Sequence, residues 1–129
     1  MLPDNVIEKD HKLAKAGEQL MELRWHWTLN KKNPDRVSAP EYAKATGVHS
    51  ATIKRDAAAW EAFTKAKAEG LSNAPGAPKT ATDFRRLAQL GEDRQTAIKA
   101  VAAKTGNSVA YTERRQRAEV ESVLNAARA

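Results

Sequence analysis

The chain has 129 residues and no cysteine, so it holds one domain or two very small ones, and a disulfide framework or a cysteine zinc site is excluded. Hydrophobic residues make up 41%, much of it alanine, and aromatics only 5%, which favours an all-α fold with a thin core over a β-sandwich. The net charge is +6 and the pI about 9.7; a small basic protein suits a polyanionic partner, because Lys and Arg release counterions from phosphates.

The charge is uneven. Residues 1–70 carry 12 Lys+Arg against 10 Asp+Glu, and residues 71–129 carry 10 against 6, seven of those ten being Arg. The second half is therefore the more basic. The start, "MLPDNVIEKDHK", lacks the basic region and apolar run of a secretory signal. No window approaches the roughly 20 apolar residues a membrane span needs. The expectation is a soluble chain of the cytoplasm, associated with the nucleoid and not with a membrane.

In chain order, residues 5–29 read as one long amphipathic helix. Val6, Leu13, Leu20 and Trp27 recur every seven residues, and Ile7, Ala14 and Met21 repeat beside them. Lys12, Lys15, Glu18 and Glu22 fall largely outside that stripe. Asn5 or Asp4 is the expected cap. "NKKNPDR" ends the helix, because Pro34 lacks an amide hydrogen and disfavours helix in Asn33.

"SAPEYAKATG" follows as a short helix, with Ser38 as N-cap, Glu41 three residues later and Pro40 tolerated in the first turn. Gly47 ends it, where a left-handed backbone suits glycine. A third helix starts near His49 or Ser50 and runs to Glu69, with Ile53, Ala57, Trp60 and Thr64 on one face. Residues 71–82 read as a linker of Gly, Pro, Ser, Asn and Thr.

The second half repeats the plan. A helix capped by Thr82, with Phe84, Leu87, Ala88 and Leu90 inward, ends at Gly91. The next carries Ile98, Val101 and Ala102 on one face and ends at Gly106. A last helix, capped by Asn107 or Ser108, runs to the end with Val109, Val120, Val123, Leu124 and Ala127 as anchors. The expected architecture is two small three-helix units, residues 1–70 and 83–129, joined by a Pro/Gly linker.

The segment "EYAKATGVHSATIKR" supplies the parts of a tight corner between two helices. Ala43 is the small residue where the helices cross, Gly47 the turn, and Val48 and Ile53 the apolar pins. It resembles the general helix-turn-helix family of transcription regulators over about twenty residues. One position departs: Asp56 stands where that family has an apolar side chain, so Ala57 and Trp60 are left to take over the packing. The resemblance implies that the second helix enters the major groove of double-stranded DNA. Ser50, Ala51, Lys54 and Arg55 would then face outward, with Arg55 on a guanine edge and Ala51 on a thymine methyl. His49, Ser50 and Thr52 would bind phosphates. The plain alternative is a helical hairpin with Lys54 and Arg55 solvated.

"KTGNSVAYTERR" aligns with this corner on Gly106, placing Ala102 on Ala43, Thr105 on Thr46 and Arg114 on Arg55. Asn107 and Thr112 replace both apolar pins, and a shift of one residue in the turn would let Val109 serve instead. What remains is a basic group, Arg114, Arg115 and Arg117 on one helix, with Lys104, Ser108 and Tyr111 nearby: a second DNA-contacting unit, or a solvated face, or phosphate contacts alone. Two basic helical units on one linker resemble small phage and plasmid regulators, such as the immunity repressors of actinobacterial phages. That resemblance implies a repressor that occupies an operator as monomer or homodimer. Two other expectations stay open: the DNA-recognition subunit of a phage terminase, and a helical protein-interaction module built on the first helix.

"RWHW" places Trp27 on the apolar stripe and Trp25 elsewhere. His11, His26 and His49 pair with no other His or Cys at helical spacing, so no metal is expected. No phosphate loop, nucleophile elbow or HExxH motif occurs. Neither enzymatic activity nor a cofactor is expected.

Overall fold

The computed structural model describes residues 1–13, 17–71, 73 and 77–128. Those residues form eight helices and no strand, so the all-α expectation holds. They fall into two compact units, residues 1–65 and 66–129, divided within the last turns of the fourth helix. Four helices in each half replace the expected three.

The first unit holds α1 (Asp4–Lys12), α2 (Gly17–Thr28), α3 (Ala39–Thr46) and most of α4 (Ser50–Ala68). The single helix expected over residues 5–29 is thus two. In a continuous helix, residues fourteen apart stand about 21 Å apart at 1.5 Å rise per residue. Here the Arg24 Nε lies 3.1 Å from the Asp10 carboxylate, so the chain folds back between them. Gly17 opens α2 at a φ of +33°, a backbone that glycine adopts readily. Ala14 of the expected stripe, and Lys15 beside it, lie outside the described residues. Pro3, rather than Asn5 or Asp4, occupies the N-cap of α1, and it makes no side-chain cap.

The core of this unit gathers Leu2, Val6, Leu23, Val37, Tyr42 and Ile53, with Leu13, Trp27, Ala43 and Val48 packed against it. Ser38 caps α3 as expected, its hydroxyl accepting from the Glu41 amide. On α4 the buried face runs through Ile53, Asp56, Ala57, Ala59 and Phe63. Trp60 and Thr64 are only half-buried, so the inward stripe lies one step round from the expected one.

The second unit holds α5 (Ala81–Ala88), α6 (Glu92–Thr105), α7 (Val109–Arg115) and α8 (Arg117–Arg128). Thr80, not Thr82, caps α5 by accepting from the Asp83 amide. Gly91 does not end α5 but serves as the N-cap of α6, with a φ of −63°. The last helix expected from residue 107 onward breaks at Gln116. There the Gln116 Oε1 lies 3.0 Å from the Thr112 hydroxyl and 3.2 Å from that of Thr105, and the Gln116 amide donates to the Thr112 carbonyl. Val120 and Leu124 of α8 turn back onto Leu87, Ala97, Ile98, Val101 and Val109. Val123 and Ala127, expected inward, are exposed, as is Ala88. No helix among the described residues is long and apolar enough to cross a membrane.

Candidate nucleic-acid interface

α3 ends at Gly47, as its sequence suggests. Gly47 sits in the left-handed region at a φ of 77° and its amide donates to the Ala43 carbonyl, closing the last turn of α3. The Thr46 hydroxyl donates to the Tyr42 carbonyl. His11 reaches across from α1, its Nε2 2.9 Å from the Thr46 carbonyl. An orphan carbonyl at the end of α3 thereby gains a partner. Beyond the turn, Ile53 is fully buried, and burying such a side chain contributes about 1.5–3 kcal/mol.

The turn between α6 and α7 repeats the local hydrogen bonding of the turn at Gly47. Gly106 has a φ of 72° and donates to the Ala102 carbonyl. The Thr105 hydroxyl donates to the Val101 carbonyl, as Thr46 does to Tyr42. Six residues past each glycine stands a fully buried side chain, Ile53 in one case and Thr112 in the other. Thr112 keeps the position because its hydroxyl lies 2.9 Å from the Ser108 carbonyl and is not left dry. Val109 is buried beside it and supplies the apolar pin that Asn107 lacks.

The expected contact residues sort by exposure. On α4, Lys54 and Arg55 are exposed, while Ser50, Ala51 and Thr52 are half-buried. His49 is exposed and acts as a cap, its Nδ1 accepting from the Ala51 amide at 3.2 Å. On the second corner, Lys104, Tyr111, Arg114 and Arg115 are exposed. Tyr111 stands three and four residues before the two arginines, which places the three on one face of α7. Ser108 caps α7 by accepting from the Tyr111 amide. Arg117 is not on that helix. It follows the bend at Gln116 and begins α8, so the single-helix arginine cluster is corrected to two arginines and a third beyond a bend.

Charge distinguishes the two corners. The outward pair before and at the aligned arginine is Lys54–Arg55 in the first and Glu113–Arg114 in the second. Glu113 is engaged by the Arg86 Nη1 of α5 at 3.1 Å, so the second helix presents its positive charge through arginines nearer its C-terminal end.

Asp56 resolves differently from its sequence reading. It is fully buried, and its carboxylate accepts from the Arg24 Nη1 at 2.6 Å. The same guanidinium donates through Nε and Nη2 to both oxygens of Asp10, at 3.1 and 3.2 Å. The Tyr42 hydroxyl donates to Asp10 as well. Each helix of the unit contributes one member: Asp10 from α1, Arg24 from α2, Tyr42 from α3, Asp56 from α4. Burial opposes the charge on Arg24, but Asp10 and Asp56 outweigh it and raise its pKa. Burial pushes the Tyr42 phenol up, and the hydrogen bond to Asp10 adds to that.

Neither Asp10 nor Tyr42 stood out in the sequence. The available signal was the misplaced Asp56, since a carboxylate at a core position calls for a buried cation. Among the described residues no group of three His, Cys, Asp or Glu side chains stands ready to hold a metal ion. No known family model matches the chain, and neither a curated protein nor a solved structure shows significant similarity to it.

Proposed function

We propose that the chain is a sequence-specific double-stranded DNA-binding protein, a transcriptional repressor of phage or plasmid type that occupies an operator. The observation that carries this reading is the closed corner at Gly47 followed by a buried Ile53 and two exposed cations, Lys54 and Arg55. A left-handed glycine turn followed by a buried anchor and an exposed basic face supplies the parts that groove docking uses. Arg55 offers two parallel donors to the N7 and O6 edge of guanine. Tyr111, Arg114 and Arg115 of the second corner supply a second contact surface. Two weak contacts on one chain raise apparent affinity through effective concentration.

Selection from a random double-stranded oligonucleotide pool tests the reading. A repressor of this kind enriches one defined motif, whereas binding of all sequences alike, or of none, contradicts it. Light scattering on the bound complex then distinguishes monomer from homodimer.

A further inference from the structure

Residues 30–36, "NKKNPDR", join α2 to α3 and expose three cations, Lys31, Lys32 and Arg36, against one exposed carboxylate, Asp35. The backbone that carries them is pinned. The Asn30 Oδ1 accepts from the Lys32 amide at 3.1 Å, and the Asn33 Oδ1 accepts from the Asp35 amide at 3.0 Å. Asn33 is only 6% exposed, and its Nδ2 donates to the His26 carbonyl at 3.0 Å. The Asn30 Nδ2 donates to the His26 Nδ1 at 2.9 Å. The Val37 amide donates to the Trp27 carbonyl at 2.8 Å, which ties the loop's exit to α2.

Two asparagine side chains thus hold a turn whose outward charge is positive. Like charges held together repel, and a plain connector has no use for that cost. Because the turn is already ordered in the free chain, an anion meets it with little further loss of backbone entropy. The loop also has a defined place in the corner. Arg36 stands two residues before Ser38, the N-cap of α3. In helix-turn-helix docking the first helix crosses the phosphate backbone while the second enters the groove.

We infer that residues 30–36 form a phosphate-binding loop, with Lys31, Lys32 and Arg36 on the DNA backbone that flanks the base pairs read by α4. The inference rests on the proposed DNA reading and extends it to a site outside both corners. Contacts of this kind position the protein and carry no base preference of their own.

The test uses the full chain, a duplex bearing its selected motif, and affinity measured from low to moderate sodium chloride. Each phosphate contact contributes about 0.9 to the slope of log affinity against log salt. The triple variant Lys31→Ala, Lys32→Ala, Arg36→Ala is expected to flatten that slope by about 2–3, to leave the selected motif unchanged, and to melt no lower than the parent, because the repulsion among the cations is relieved. A slope and affinity equal to the parent's overturn the loop assignment while leaving the DNA reading intact. A changed motif also overturns it, because the loop would then be reading bases. If the parent chain binds no duplex, both the reading and the loop contact fall.

Discussion

The Arg24 guanidinium stands 2.6 Å from the Asp56 carboxylate, with the side chains 5% and 0% exposed. This pair ties the middle of α2 to the second helix of the corner. Together with Asp10 it places two negative charges and one positive charge out of water, in the unit that carries Lys54 and Arg55.

The first prediction concerns the order of damage within that group. Removing Arg24 takes the positive charge away from two buried carboxylates, whereas removing Asp56 leaves Arg24 with Asp10. Breaking a buried pair from one side costs about 3–5 kcal/mol. Arg24→Met is therefore expected to lower stability more than either Asp56→Asn or Asp10→Asn. Urea unfolding midpoints check the order, and a milder effect of Arg24→Met than of Asp56→Asn would contradict it.

The second prediction concerns alkaline pH. Burial and Asp10 raise the folded pKa of Tyr42 above its ordinary 10.0. The unfolded state therefore loses this proton first. The stability the phenol contributes is fully present below pH 10.0 and is lost as pH rises beyond it. Tyr42→Phe removes a hydrogen bond to a charged acceptor and is expected to cost about 1.5–3 kcal/mol at neutral pH. Its stability should then fall less steeply than the parent's above pH 10.0. Parallel denaturant titrations across that range measure the difference.

The third prediction uses the two corner glycines. A Cβ placed on Gly47 or Gly106 would meet nothing within 4 Å, so space does not forbid a side chain there. Only the left-handed backbone does, at about 1–2 kcal/mol. Gly47→Ala and Gly106→Ala are each expected to lose about that much, and Gly47→Asn less, because asparagine tolerates this region better. Thermal melts of the three variants give the comparison.

The glycine turn of each corner was legible in the sequence. Gly47 and Gly106, the Ser38 cap and the buried Ile53 each follow from a local rule that needs no distant partner. The break between α1 and α2 was hidden because the apolar stripe from Val6 to Trp27 keeps its period across it. The bend at Gln116 brings its side chain to the hydroxyls of Thr105 and Thr112, and a glutamine in a helical pattern gives no sign of that. The Arg24 group was hidden for the same reason. Asp10 and Tyr42 lie thirty-two residues apart, as do Arg24 and Asp56, and periodicity within one helix reports nothing on such pairs. Arg24 reads as a polar face until the fold turns it inward.

On the proposed reading, Arg114 and Arg55 differ in the kind of contact they would make with DNA. Arg114→Ala is expected to weaken binding on all sequences alike and to reduce the salt slope by about 1. A loss confined to one base pair would instead mark α7 as a second reading helix.

The central claim is that α4 reads bases through Arg55. The direct measurement is the affinity of parent and Arg55→Ala for a library holding every single base change in the selected motif. The account predicts that Arg55→Ala relaxes preference at one base pair, by about 1–3 kcal/mol, and leaves preference at the others in place. An Arg55→Ala variant with the parent's affinity for every sequence in the library would contradict it.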